Sequence, residues 1–456
     1  MKNQDSRVRG NFGSKLGVIL ATAGGAVGLG NVWRFPYVTG QNGGAAFILI
    51  YILCVLMVGI PVMLCEMLIG RHAQANTARA YTLLSKGTAW KWVGYLGVLT
   101  SALILGYYGV VSGWTLQYVF HSATGHIHGT PETFKASFAA FTSHPWRPIF
   151  WCALLVGITH LVIVRGVQRG IERASKIMMP VLFLLLVVLM VCSLTLPGAW
   201  AGVEFLFKPD FSKITENTFL EALGQAFFSL SIAMGCLCTY ASYFKPDTSL
   251  PAAALKIAGL DTLVAILSGL VIFPAALSVG IEPDSGSSLI FITLPNVFEQ
   301  AFGGMPAVEY FVSLSFYVLL TIAALTSFIS IHEVSTSFLS EELHVGRKKA
   351  ALLVSIYGVV LGAFCSLSLC GVSFTQLFGM PLFDLLDWLT ANCCLPAGAF
   401  LTCLFVGWYV DRNIVSQEIN NSRTVSSPWF NVWLFMLKYL CPLFVVFIVL
   451  HQLGVL

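Results

Sequence analysis

The strongest constraint on this chain is a series of apolar runs, each long enough to cross a bilayer. They lie near residues 14–38, 43–70, 92–121, 149–165, 175–197, 219–243, 254–280, 307–338, 350–367, 379–409 and 432–454, hereafter spans 1 to 11. About 20 apolar residues cross the hydrocarbon core as a helix. Only helices and closed barrels satisfy every backbone group there. A barrel would show weak ten-residue alternation, whereas these runs are continuous. Charged residues make up 10% of the 456, against about 25% in soluble domains, too few to clothe a water-facing surface. The expectation is an all-α polytopic membrane protein of about 11 transmembrane helices, a single transmembrane domain over residues 1–456.

Orientation follows from the loops. Nineteen Lys and Arg flank the side that holds the N-terminus, against Lys135, Arg147, Lys208 and Lys213 on the other. By the positive-inside rule this is a multi-pass protein of the cell inner (plasma) membrane, its N-terminus cytoplasmic. An odd number of spans puts the C-terminus outside. The short polar N-terminus is no cleavable signal peptide, because span 1 is long and no small-residue cleavage site follows a short apolar core. The positive charges are dispersed, so nucleic acid is not an expected partner. The loops 122–148 and 197–217 are long enough to fold partly. The stretch SSLIFITLPNVF (Ser287–Phe298) is apolar for a loop and reads as a re-entrant or lid segment.

Span 1 contains ATAGGAVGLGNVWRFP (Ala21–Pro36), and span 6 contains FFSLSIAMGCLC (Phe227–Cys238). Mid-helix glycine costs about 1 kcal/mol relative to alanine. Irregular backbone is tolerated at membrane depth only where it is buried or lines a cavity. Asn31 and Arg34 strengthen the case, since intramembrane polar groups mark function. Both spans are expected to break at mid-membrane, leaving carbonyls that suit a hard cation and amides that suit an anion. Lying five apart, spans 1 and 6 imply a five-plus-five inverted repeat, 14–197 and 219–409, with 432–454 as helix 11. A phosphate loop is excluded: no GxxxxGK[ST] occurs and no strand precedes the glycines. The twelve cysteines form no metal-type pair of CxxC motifs and mostly lie in apolar runs, with a Cys365–Cys370 disulfide open.

These residues carry a family resemblance. GGAVGLGNVWRFPYVTGQNGGAAF (Gly24–Phe47) resembles the first-helix signature of the neurotransmitter:sodium symporter family. LGQAFFSLS (Leu223–Ser231), TYASY (Thr239–Tyr243), GYYGVVSGWTL (Gly106–Leu116), AALTS (Ala323–Ser327) and FITLPNVF (Phe291–Phe298) are similar to further segments of that family. The resemblance implies a sodium-coupled symporter working by alternating access, not an enzyme, with two sodium ions. The first would meet the Ala26 carbonyl, Asn31, Ser229, Asp261 and the substrate carboxylate. The second would meet the carbonyls of Gly24, Val27 and Ala323 and the hydroxyls of Thr326 and Ser327.

The implied substrate pocket comprises Ala26, Gly28, Leu29, Gly30, Ile104, Tyr108, Phe228, Ser229, Ser231, Met234, Ser327 and Ile331. Tyr108 and the Leu29 and Gly30 amides would hold the substrate carboxylate. Gly28 stands where the family's monoamine carriers have aspartate, which leaves room for that carboxylate. Met234, where the family's leucine carrier has phenylalanine, is flexible enough to fit varied side chains. The implied substrates are hydrophobic L-amino acids, branched and aromatic. Ala233 stands where glycine is frequent and is expected to narrow the turn. Animal relatives hold chloride near Tyr51, Gln225 and Ser229. Ala265 lacks their hydroxyl, and the Asp261 carboxylate would replace the anion, so transport is expected to need no chloride.

Arg34 and Asp387, with Gln225, match the family's outer gate, and Asp384 competes with Asp387. Arg9, Tyr243 and Glu341 match its inner gate, where Phe12 replaces tryptophan and loosens the latch. Glu66 is expected to accept amides freed by the span 6 break. Pro180, ten residues beyond Gly170, would let the inner end of span 5 unwind. A monomer would suffice, with the lipid bilayer and the amino acid as partners. Two rival readings stay open: an amino-acid sensor and a sodium-independent uniporter.

Overall fold

The computed structural model describes residues 10–125, 129–281, 289–420 and 428–452. Among them, nine helices are long and apolar enough to cross a membrane. These are span 2 (Ala45–Ala73), span 3 (Lys91–Ala123), span 4 (Arg147–Val164), span 5 (Val167–Leu194), span 7 (Leu250–Ser278), span 8 (Pro306–Glu342), span 9 (Arg347–Leu369), span 10 (Leu382–Tyr409) and span 11 (Trp429–His451). A tenth crossing is a bent pair, Lys15–Ala26 and Gly30–Gln41, whose axes differ by 57°. The eleventh, span 6, is two short helices, Glu216–Ser229 and Cys236–Ala241, separated by non-helical residues. Both expected breaks are therefore present.

Spans 3 and 8 form the centre, with 72% of each apolar window buried; span 5, at 28%, lies on the rim. The rim presents large apolar side chains outward, such as Leu184, Leu161 and Phe447, as a lipid-facing surface requires. Five helices widen into a π-turn just before a proline. The wide turns Gly30–Arg34, Val55–Gly59, Leu289–Thr293, Thr390–Cys394 and Met436–Leu440 precede Pro36, Pro61, Pro295, Pro396 and Pro442. Proline has no N–H to donate and its ring crowds the preceding turn; a π-turn is one way to absorb this. Pro180 behaves differently: the helix Arg173–Leu194 runs through it unbroken.

Span 5 starts earlier than expected, at Val167. Its polar first turns are neutralised locally. Glu172 is buried, accepts from the Gly13 amide (2.6 Å) and the Ser14 hydroxyl (2.9 Å), and pairs with Lys176 (2.6 Å). The long outer loops fold in part, as Pro131–Thr142 and Trp200–Phe207. The apolar segment after span 7 forms a buried π-turn and helix, Leu289–Thr293 and Leu294–Phe302. Its Phe291 stacks on Phe138 and meets Trp114 and Tyr118, so the lid is held by an aromatic cluster. All twelve cysteines are free thiols, so Cys365 and Cys370 form no disulfide here.

Candidate functional site

The two breaks face each other beside spans 3, 7 and 8. In span 1, Val27 turns to extended backbone (ψ 109°), which ends the first half-helix. In span 6 the break needs left-handed residues: Ser231 at φ 53°, Ala233 at 66° and Gly235 at 76°. For a residue bearing a Cβ, this conformation costs roughly 1–2 kcal/mol. Ala233 is held there from both sides. Its amide donates to the Glu66 carboxylate, as expected of Glu66, and Gly398, on span 10, packs against it so closely that an added Cβ would stand 3.0 Å from that of Ala233.

The first expected ion site is assembled from three elements. The Asn31 side-chain amide donates to Ser229 Oγ (2.9 Å), Asp261 Oδ1 (2.8 Å) and the Asp261 carbonyl (3.1 Å). Ser229 donates to Asp261 Oδ2 at 2.6 Å, and Tyr51 reaches the same oxygen at 3.4 Å. Asn31 Oδ1 accepts the Gly28 amide at 3.0 Å, so this side chain also shapes the break. Asn31, Ser229 and Asp261 are all fully or nearly fully buried, and Ala26 is 5% exposed. A buried carboxylate ringed by neutral donors is an oxygen-rich seat for a hard cation. Ala265, also buried, leaves a methyl group in the Tyr51–Gln225–Ser229 neighbourhood.

The second expected site joins spans 1 and 8. Ser327 donates to the Val27 carbonyl at 3.0 Å and Thr326 reaches it at 3.4 Å. Thr326 also bonds the Ala323 carbonyl at 2.9 Å. A Cβ at Gly24 would stand 3.4 Å from Thr326 Cβ. Two hydroxyls and three carbonyl-bearing residues thus converge without any formal charge.

Between these sites lies the expected substrate pocket. A Cβ on Gly28 would stand 2.6 Å from Ser327 Oγ and 3.1 Å from the Tyr108 hydroxyl, and the Leu29 amide points at that hydroxyl from 3.5 Å. A Cβ on Gly30 would stand 2.8 Å from the Phe228 ring. Ser231 donates to the Gly25 carbonyl at 3.0 Å, tying the two breaks together. Ile104 precedes Tyr108 by one turn, and Ile331 follows Ser327 by one turn, so each lies on the same helix face as its polar partner. Ile104, Ile331 and Met234 are buried. The expected wall residues are apolar, and Ser327, Tyr108 and the Leu29 amide meet beside Gly28, a pattern that small-molecule sites use.

The gates differ in part from expectation. Arg34 sits 5.0 Å over the Phe228 ring, a cation–π contact. It lies in the field of Asp387, not Asp384, without forming an ion pair with it. Gln225 does not bond Arg34. Its Nε2 donates to the Gly30 carbonyl at 3.2 Å and its Oε1 has no partner among the described residues. At the inner end Arg9 lies outside the described residues. Glu341 accepts the Asn76 amide at 2.8 Å and its Nδ2 at 3.0 Å. Phe12 is 1% exposed, meets Tyr240 and Tyr243 edge-on, both at 6.0 Å, and its amide donates to the Tyr243 carbonyl. Its ring is packed into the space beside Tyr240 and Tyr243.

One element of the inner end was missed in the sequence. Tyr243 donates to Glu333 Oε1 at 2.7 Å. Arg347 clasps the same carboxylate through two bonds, 2.8 and 2.7 Å, and donates to the Ile163 carbonyl at 3.1 Å. Spans 4, 6, 8 and 9 are therefore tied at one point. The available signal was Glu333, next to His332, inside span 8. Removing one partner of a buried ion pair costs roughly 3–5 kcal/mol. Glu333→Gln is expected to lower the thermal midpoint and loosen the inner end, and Glu333→Gln with Arg347→Gln to recover part of it. Additive effects of the two substitutions in thermal unfolding would contradict the coupling.

The geometry defines a class, a multi-pass transporter built around two interrupted helices. Comparison with known proteins gives the family. A profile described as the sodium:neurotransmitter symporter family matches residues 9–130 and 144–455, and the chain belongs to that family of sodium-dependent symporters. It is 37% identical over 447 residues to a Bacillus subtilis (strain 168) protein described as "uncharacterized sodium-dependent transporter YhdH", covering 98% of both chains. It is 25% identical over 494 residues to the human "sodium- and chloride-dependent GABA transporter 2", covering 96% of this chain and 80% of that one. Among solved structures it is similar to the crystal structure of MhsT in complex with L-phenylalanine, at 39% identity and a TM-score of 0.87, covering 98% of this chain and 100% of that one.

Proposed function

We propose that this protein is a symporter of hydrophobic L-amino acids, coupled to two sodium ions and independent of chloride. The observation that carries the reading is the polar end of the pocket. Because Gly28 has no side chain, Ser327, Tyr108 and the Leu29 amide can converge on it, and a substrate carboxylate among these groups would accept from the hydroxyls and from the amides at the break. The first ion would lie at Ala26, Asn31, Ser229 and Asp261, sharing that carboxylate. The second would lie at Gly24, Val27, Ala323, Thr326 and Ser327. Buried Ile104, Ile331 and Met234 select an apolar side chain. The phenylalanine bound to MhsT supports the same class.

Asp261 supplies the negative charge that a bound chloride would otherwise give. We infer the membrane to be the cell's inner or plasma membrane, with the N-terminus cytoplasmic and the C-terminus outside. The inverted repeat, 14–197 against 219–409, finds support in the breaks of spans 1 and 6 and in the equally central spans 3 and 8.

The test is equilibrium binding of labelled leucine and tryptophan to the purified protein. Binding is expected in sodium salts, unchanged when gluconate replaces chloride, and weakened when potassium replaces sodium. Tryptamine, which lacks the carboxylate, is expected to compete poorly. Loss of binding in sodium gluconate would overturn chloride independence. Equal binding in potassium would favour the uniporter.

A further inference from the structure

Spans 3, 8 and 9 enclose a groove of about 670 Å³ on the outer surface of the bundle. Its rim residues Trp92, Leu99, Leu353 and Tyr357 are 40–62% exposed, which in a membrane means exposed to lipid. Two stripes descend its walls, Lys91–Tyr95–Leu99 on span 3 and Lys349–Leu353–Tyr357 on span 9. The four-residue spacing puts each stripe on one helix face. Both helices rise from the Lys/Arg-rich side, so both walls begin with a cation and continue apolar.

The dimensions fit one lipid chain. From Lys91 to Ala102 a helix rises roughly 16 Å, about half the ~30 Å hydrocarbon core. Lys91 Nζ lies 5.4 Å over the Trp92 ring, and Trp92 and Tyr95 stand at headgroup level, where such rings concentrate. Tyr357 donates to the Ala102 carbonyl at 3.1 Å and closes the deep end. Ser335 lines the groove; it is 7% exposed, and its hydroxyl has no partner among the described residues. The acids at the end of span 8 are turned elsewhere: Glu341 and Glu342 both accept from Asn76.

We propose that this groove holds an acyl chain of one anionic glycerophospholipid, its phosphate between Lys91 and Lys349. The apolar trough takes the chain, and the two cations select the charge. The bound lipid would bridge spans 3, 8 and 9 on the side where the inner end opens.

The test uses the full chain in detergent with an equimolar mixture of phosphatidylglycerol and phosphatidylcholine, counting retained lipids by native mass spectrometry. One retained lipid is expected, with phosphatidylglycerol favoured about tenfold or more, given two lysines at the headgroup. Lys91→Glu with Lys349→Glu should abolish the preference while a lipid is still retained. Ala102→Phe should expel both lipids. Lys245→Glu with Lys256→Glu, cations of the same side but other spans, should change nothing. Equal retention of the two lipids by the unaltered protein would overturn the proposal. So would an unchanged preference in the Lys91/Lys349 double variant, or full retention in Ala102→Phe. The thermal midpoint of each variant checks that it is folded.

Discussion

Asp261→Asn is expected to reduce sodium-driven amino-acid uptake by two to three orders of magnitude while leaving the protein folded. The carboxylate accepts from Asn31, Ser229 and Tyr51. An asparagine keeps the shape, and the Ser229 and Tyr51 hydroxyls can rotate to suit it. What it loses is the one formal negative charge that the chain itself contributes to the first ion's expected ligands. Losing one partner of a buried, hydrogen-bonded charge pair costs roughly 2–5 kcal/mol, and each 1.4 kcal/mol is about tenfold in affinity. The half-saturating sodium concentration should therefore rise at least about tenfold, with a fall in maximal uptake. A sodium titration of uptake that superimposes on the unaltered protein would remove Asp261 from the site.

Gly28→Ala is expected to abolish binding of amino acids at concentrations that saturate the unaltered protein. Gly28 is absent from the positive-φ residues, so its backbone accepts alanine and the substitution reports on space. The added methyl would stand 2.6 Å from Ser327 Oγ and 3.1 Å from the Tyr108 hydroxyl, closer than carbon packs beside oxygen. It occupies the volume assigned to the substrate carboxylate. Gly28→Asp goes further, because it brings its own carboxylate into that volume and should shift the preference from leucine and tryptophan towards amines such as tryptamine. Wild-type leucine affinity in Gly28→Ala would move the carboxylate elsewhere.

Much of this was legible in the sequence, for physical reasons. Glycine and buried polar residues are costly at membrane depth, so Gly24–Gly30, Asn31 and Asp261 stood out. The same cost argument gave the interruption of spans 1 and 6, and the lengths of the apolar runs gave the number of spans. Other features depend on contacts between distant segments. Arg347 reads as an ordinary flanking cation, yet it is committed to Glu333 and Tyr243. Glu172 looks like a loop residue and belongs to the packed start of span 5, paired with Lys176. Phe12 reads as a looser latch where tryptophan is common, and only its ring contacts show how closely it packs beside Tyr240 and Tyr243. The family resemblance puts Gln225 beside Arg34 in the outer gate, whereas the break at Gly30 offers it a carbonyl. The wide turns ahead of prolines are legible only in hindsight, because a proline in a membrane helix can equally kink it or, as at Pro180, leave it continuous.

The central claim is coupling: sodium entering with a hydrophobic amino acid. Its most direct measurement is uptake of labelled leucine and tryptophan into proteoliposomes with an imposed inward sodium gradient and gluconate as the anion. The expected result is concentrative accumulation that collapses when the sodium gradient is dissipated. Binding without accumulation would contradict the symporter and favour a sensor, and accumulation to the same level without a sodium gradient would contradict the coupling.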